Sequence, residues 1–265
     1  MSAQTDKSVL QTIVAHKREE VAARKQALGL DKLMQHVTPC EPGQLENAFR
    51  NPTPATKLML EIKPASPSAG VLAAQPDLTN LLEAYNQYGV AISVLTDEKY
   101  FGGSLALLSE VAQQSTCPVL CKEFIVDAYQ LYESRQAGAS AALLIVKALE
   151  DSYLAELTQT ARSLGLTPLI EIQDEAELER SLTVNPTVLL INNRNLDTLE
   201  MDMTTTARLS PLIPSDILRI SASGIENRAD IERLQPFCDG FLIGSALMRQ
   251  PAEQLAGKLK ELTGA

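Results

Sequence analysis

Four charged side chains stand at the ends of short apolar runs, where a charge needs either a partner or a ligand. Glu61 and Lys63 close LMLEIK two residues apart, so on a strand both side chains point the same way; Lys122 ends PVLCK and Glu171 lies in PLIEI. Ammonium and carboxylate groups that converge on one substrate can act as general acid and general base. The plainer readings are a surface ion pair for Glu61 and Lys63, and buried, partnered charges for Lys122 and Glu171. Asn192 ends VLLIN and is followed by Asn193 and Arg194, which suit hydrogen bonds to substrate hydroxyls or a carboxylate; a capping role for the asparagine is the alternative. Ser223-Gly224 and Gly244-Ser245 follow two further apolar runs, and Gly/Ser turns in such places present backbone N–H groups to a phosphate. Directly after Lys63, Pro64-Ala65-Ser66-Pro67-Ser68-Ala69-Gly70 is too rich in proline for a helix and is expected to cover a ligand.

These residues share an address: each follows a run of branched apolar residues, and the runs alternate with amphipathic segments of helical length. From about Leu58 onward this rhythm repeats about eight times, with strands expected over 58–62, 91–95, 118–122, 141–146, 168–172, 188–192, 217–221 and 240–243. Eight units favour an α/β fold of the closed (β/α)8 TIM-barrel type over an open sheet, and such barrels carry their sites at the C-terminal ends of the strands. Asp77, Asp127 and Asp151-Ser152 are expected to open helices that stop before Gly89, Gly138 and Gly165. Residues 1–49 read as an N-terminal helical extension that caps the barrel. In it a helix over 8–28 is followed by a polar, Pro-rich passage through Asn51-Pro52-Thr53-Pro54, and residues 50–265 form the barrel of a single domain.

Composition narrows the function further. With 265 residues, 45% of them hydrophobic, the chain can bury a large core. A net charge of -10 opposes nucleic acid and anionic membrane surfaces, so neither is an expected partner, and any phosphate must be attracted locally. The only histidines, His16 and His36, lie near the N-terminus, and Cys40, Cys117, Cys121 and Cys238 lack paired CxxC spacing, so neither a metal site nor histidine catalysis is expected. Tryptophan is absent and aromatic residues make up 4%, leaving few platforms for stacking bases. No run reaches the apolar length of a signal core or a membrane span, and a cytoplasmic location is expected.

EIKPASPSAG, AISVLTDEKYFGGSL, PVLCKEFIVDAYQ, INNRNL, SGI and FLIGSALM occur in that order. Together they resemble the indole-3-glycerol-phosphate synthase family over essentially the whole chain, the first being similar to that family's E-x-K-x-x-S-P-S-x-G signature. The resemblance implies a ribulose-phosphate-binding barrel of tryptophan biosynthesis. Its substrate would be 1-(2-carboxyphenylamino)-1-deoxyribulose 5-phosphate, closed to an indole with loss of carbon dioxide and water, and no cofactor would be needed. At matching positions it implies Lys122 as general acid, Glu171 as general base, and Lys63 as partner of the anthranilate carboxylate. Glu61 would support the lysines and substrate hydroxyls, and Asn192 and Arg194 would hold the closing intermediate. Ser66, Gly224, Gly244 and Ser245 would cradle the phosphate and Phe124 would pack on the aromatic ring. Association with other enzymes of tryptophan synthesis is compatible with the resemblance. The chain departs from the family pattern at Ala222, where glutamate is usual, at Leu190 for glycine, at Asn195 for aspartate and at Glu123 for aspartate. Ala222 keeps two alternatives open: a paralogous barrel acting on a related Amadori-type amino sugar phosphate, and a non-catalytic phosphosugar-binding barrel.

Overall fold

The computed structural model describes residues 8–51, 53–67, 70–72 and 77–264. Pro52, and Ser68 and Ala69 of the expected covering loop, lie outside the described residues.

The apolar runs form eight parallel strands: β1 (Leu58–Ile62), β2 (Ala91–Leu95), β3 (Val119–Lys122), β4 (Ala141–Ile145), β5 (Thr167–Ile172), β6 (Val188–Asn192), β7 (Leu218–Ala222) and β8 (Gly240–Ile243). Each pairs with the next in sequence, and β8 closes on β1 with Leu58 opposite Phe241. Strand residues are buried on both faces, because helices cover one and the barrel interior fills the other. Two interleaved cores result. Leu60, Ile62, Val94, Cys121, Leu144, Ile170 and Ile191 pack outward against helices, whereas Met59, Leu120, Leu143, Leu169, Leu190, Ile220 and Leu242 fill the interior. Fully burying side chains of this kind stabilises by about 1.5–3 kcal/mol each before conformational entropy is subtracted.

Expected and observed strand limits differ by one residue at several ends. Pro118 offers no N–H to the ladder, so β3 starts at Val119, with the Pro118 carbonyl accepting from Ile92. Strand β4 ends at Ile145 because Val146–Ala148 turn into a short 3-10 helix, and β5 starts one residue early at Thr167. Strand β7 runs one residue later than expected, and Ala222 closes it opposite Asn192. Asp77 and Asp127 cap their helices as expected, accepting from the backbones of Asn80 and Tyr129. Glu150 rather than Asp151 precedes the helix Asp151–Ser163, which places Asp151 in its first turn, where a negative charge meets the unpaired N–H groups.

The N-terminal extension holds α1 (Val9–Ala27), opened by a capping box between Ser8 and Gln11, then α2 (Leu30–Met34) and α3 (Gln44–Arg50). The two short helices replace the irregular passage expected there; at five and seven residues they carry too few turns to show a period. Leu10 and Ile13 of α1 and Leu45 and Phe49 of α3 all join the interior core. Glu46 of α3 accepts from Thr167 Oγ1 at 2.5 Å and Thr187 Oγ1 at 2.7 Å, at the starts of β5 and β6, so α3 closes the N-terminal end. Helix α1 lies over the opposite mouth.

After β5, Glu177 is buried with Oε2 accepting from Gln173 N at 2.9 Å. Burial and the neighbouring Asp174 push its carboxyl up to about 7. The folded state therefore holds this proton to higher pH than the unfolded chain, and stability falls as pH rises from the ordinary carboxylate range to about 7. Glu177→Gln is expected to match the parent's Tm at pH 4 and to exceed it by about 2–4 °C at pH 8 in thermal unfolding.

Candidate active site

Strand alternation decides which side chains reach the mouth. Glu61 and Lys63 continue the inward phase of Met59, Lys122 that of Leu120, Glu171 that of Leu169, Asn192 that of Leu190, and Ala222 that of Ile220. They meet in a cavity of about 360 Å³ at the C-terminal ends of the strands. All twelve residues singled out from the sequence line it: Glu61, Lys63, Ser66, Lys122, Phe124, Glu171, Asn192, Arg194, Ser223, Gly224, Gly244 and Ser245.

On one side Lys63 Nζ lies 2.7 Å from Glu61 Oε1. Burial alone would push the Glu61 carboxyl up, but the charges of Lys63 and Lys122 outweigh it and hold the group below the usual carboxylate range. Gly244 makes this approach possible, since a Cβ there would stand 2.3 Å from Glu61 Oε1. Behind the wall, Tyr85 donates to the Glu61 carbonyl at 3.2 Å. On the other side, Asn192 Nδ2 donates to Glu171 Oε1 at 2.9 Å, while Oε2 faces Lys122 Nζ at 3.8 Å and has no hydrogen-bond partner among the described residues. A glutamate whose side chain is only 1% exposed thus keeps one oxygen free, opposite the ammonium of a lysine whose side chain is 20% exposed. That pairing is suited to taking one proton and delivering another.

Asn192 Oδ1 accepts from Arg194 N at 3.0 Å, and Arg194 Nη1 donates to the Leu199 carbonyl at 3.0 Å, so the guanidinium is braced by its own loop. Asn195 accepts from Asp197 N and Thr198 N at 2.8 and 3.1 Å, making the turn that an aspartate would make. Leu190 fills the cavity floor beneath Asn192.

The ends of β7 and β8 form a second region. Ser223 and Gly224 both have positive φ, 70° and 79°. A serine held there carries local strain of about 1 kcal/mol, the sort of backbone feature that collects at ligand sites. At Gly224 any Cβ would come within 2.2 Å of Met203 Sδ. Ser66 is buried nearby and pairs with Gly70 in a two-residue antiparallel ladder. Arg249, one turn past Ser245, holds both oxygens of Glu226 at 2.9 and 2.7 Å at the rim. Sequence reasoning missed this pair, and no motif marks it.

The third region is apolar. Phe124 packs against Phe101 with ring centroids 5.7 Å apart, and Val9, Leu10 and Ile13 of α1 complete the wall. The contribution of α1 was anticipated only as a cap; its residues reach the site because three apolar side chains fall on its inner face. Among the described residues no cluster of three His, Cys, Asp or Glu side chains is placed to hold a metal.

Comparison with known proteins adds identity to this geometry. A family model described as indole-3-glycerol phosphate synthase matches residues 10–262. The chain is 41% identical over 254 residues to an indole-3-glycerol phosphate synthase of Burkholderia lata, covering 94% of this chain and 97% of that one. It is 39% identical over 245 residues to the tryptophan biosynthesis protein TrpCF of Helicobacter pylori, covering 92% of this chain, and there it spans only 52% of the relative's length. Among solved structures, one from the tryptophan synthase a2b2 complex of Pyrococcus furiosus superposes with a TM-score of 0.60 over 79% of this chain and 98% of that one. At 18% identity that likeness speaks for the barrel fold alone.

Proposed function

The chain belongs to the indole-3-glycerol phosphate synthase family and is a carboxy-lyase of tryptophan biosynthesis, and we propose that it closes the indole ring in this cavity with Lys122 as acid and Glu171 as base. The observation that carries the assignment is the Lys122–Glu171–Asn192 arrangement, in which one buried carboxylate oxygen is oriented by asparagine and the other is left open. The phosphate of 1-(2-carboxyphenylamino)-1-deoxyribulose 5-phosphate would sit between Ser66, Ser223-Gly224 and Gly244-Ser245. Its carboxylate would meet Lys63 and its ring Phe124. Anchoring both ends bends the flexible chain until the ring carbon bearing the carboxylate reaches the ketone carbon.

The first bond to form joins those two carbons, and Lys122 delivers a proton to the ketone oxygen as its charge develops, leaving a hydroxyl. Carbon dioxide then departs and its bonding pair restores the aromatic ring. The hydroxyl leaves as water with a second proton, delivered by Lys122 after it is recharged from solvent, and Glu171 accepts a proton from the carbon between the nitrogen and the former ketone carbon as the pyrrole double bond forms. Glu61 keeps Lys63 and Lys122 in place through its negative charge. Incubating the purified chain with this substrate should give the fluorescent indole product, and the absence of product would sink the assignment.

Ala222 lies opposite Asn192 and faces the cavity. Ala222→Glu adds a carboxylate beside the reacting groups and is expected to leave kcat/KM unchanged or to raise it by up to about tenfold. A fall in turnover of a related Amadori-type amino sugar phosphate on the same substitution would instead favour the reading that the chain acts on that substrate class. A cytoplasmic location and association with other enzymes of the pathway belong to the same proposal. They are supported by the absence, among the described residues, of a helix long and apolar enough to cross a membrane, and by the longer TrpCF chain that contains the matched region.

A further inference from the structure

Lys17 of α1 is fully buried, and three carboxylates converge on it: Glu20 Oε2 at 2.8 Å, Asp97 Oδ2 at 2.9 Å and Glu123 Oε1 at 3.2 Å. Each partner belongs to a different piece of the cavity mouth or secures α1 itself. Asp97 follows β2 and caps the helix Glu98–Phe101, its Oδ1 accepting from Tyr100 N at 2.7 Å. Glu123 follows β3; its Oε1 also accepts from Phe124 N at 2.9 Å and its Oε2 from Thr96 Oγ1 at 2.8 Å. One ammonium therefore joins α1, the segment ending in Phe101, and the segment beginning with Phe124. The cavity-facing residues of those three pieces, Leu10, Ile13, Phe101 and Phe124, form the apolar wall. Holding a helix against a barrel needs no buried charge, since apolar packing of equal volume does so at least as well. What a charge cluster adds is direction: ion pairs from Lys17 to Asp97 and Glu123, together with the hydrogen bonds those carboxylates accept from Tyr100 N and Phe124 N, orient the segments that carry the two phenylalanines.

We infer that Lys17 is a positioning residue that sets the aromatic end of the substrate site by locking α1, Asp97 and Glu123 together behind the Phe101–Phe124 wall. The inference rests on the proposed placement of the substrate's ring against that wall. Of the groups proposed for the phosphate, Ser223, Gly224, Gly244 and Ser245 lie at the ends of β7 and β8, across the cavity mouth from β2 and β3, and Ser66 follows β1. Lys122 is held by the barrel ladder, its carbonyl accepting from Thr96 N at 3.1 Å. Loss of Lys17 should accordingly fall on recognition of the aromatic end rather than on phosphate recognition or the proton-transfer groups.

The test uses the full chain and its Lys17→Met variant, titrated with anthranilate by fluorescence and with inorganic phosphate by calorimetry, together with steady-state kinetics. The expected result is a dissociation constant for anthranilate and a KM that rise about tenfold, a phosphate constant within about twofold of the parent, and a larger change in KM than in kcat. Asp97→Asn keeps the helix cap while removing one charge, and it should weaken anthranilate about threefold with phosphate again unaffected. It decides the matter if Lys17→Met does not fold. Unchanged anthranilate binding, or equal weakening of anthranilate and phosphate, would overturn the proposal. A parent that binds phosphate but not anthranilate overturns the ring placement and this inference with it. Because the titrations need no turnover, a parent that binds both yet forms no indole overturns the proposed chemistry while leaving the role of Lys17 standing.

Discussion

Lys122→Ala is expected to lower kcat for indole formation by about a thousandfold while changing KM by no more than severalfold. The ketone oxygen acquires negative charge as the ring closes, and without a proton donor that charge must be met by water or by the remaining cations. Lys63 cannot substitute, because its ammonium is held 2.7 Å from Glu61. Binding should survive, since the region beside Ser223-Gly224 and Gly244-Ser245 and the wall at Phe124 do not depend on Lys122. Folding should survive as well. The Lys122–Glu171 separation of 3.8 Å is too long for a strong ion pair, and Asn192 still donates to Oε1 of the carboxylate. Steady-state fluorescence of the indole product over a range of substrate concentrations reads both constants. A variant with kcat within tenfold of the parent would remove Lys122 from the role of acid.

The second large effect is on stability. Lys17→Met is expected to destabilise the fold by about 3–5 kcal/mol, because it leaves Asp97 and Glu123 buried with no cation between them. For a chain of this size that corresponds to a fall in Tm of about 5–9 °C by calorimetry. The loss carries a sign in pH. Burial already pushes the Glu123 carboxyl up, although Lys17, the Phe124 N–H and Thr96 pull it down, and removing the ammonium leaves burial less opposed. In the variant this carboxyl takes up a proton more readily, which relieves the repulsion, so the destabilisation should be larger at pH 8 than at pH 5. A variant equally stable to the parent at both pH values would show that the cluster contributes no net stability. Adding Asp97→Asn and Glu123→Gln to Lys17→Met should recover part of the loss, since neutral groups replace the unpaired charges.

The barrel was legible because every strand is a short apolar run and every run is followed by a helical one. The site was legible for the same reason. Lys63, Lys122, Glu171 and Asn192 interrupt or end apolar runs, and period-two alternation projects them inward once the strands close. The short helices α2 and α3 were not legible, since helices this brief owe their stability to packing rather than to a repeating pattern. Nor were the limits of β7: moving both by one residue leaves the number of apolar residues in the run unchanged, but it adds Ala222 to the strand, where it pairs with Asn192.

The amino-acid sequence by itself determined the number and order of the βα units, the inward phase of each strand, and hence which polar side chains crowd the mouth. These are local properties, set by residue type and by spacings of two and of three to four. Only the tertiary structure decided that Glu171 keeps a free oxygen opposite Lys122, that Glu61 serves Lys63, and that Lys17 binds Asp97 and Glu123 across distant parts of the chain. A charged residue on an amphipathic helix looks the same in sequence whether it meets water or three carboxylates. Its surroundings are chosen by how the helix docks on the closed barrel.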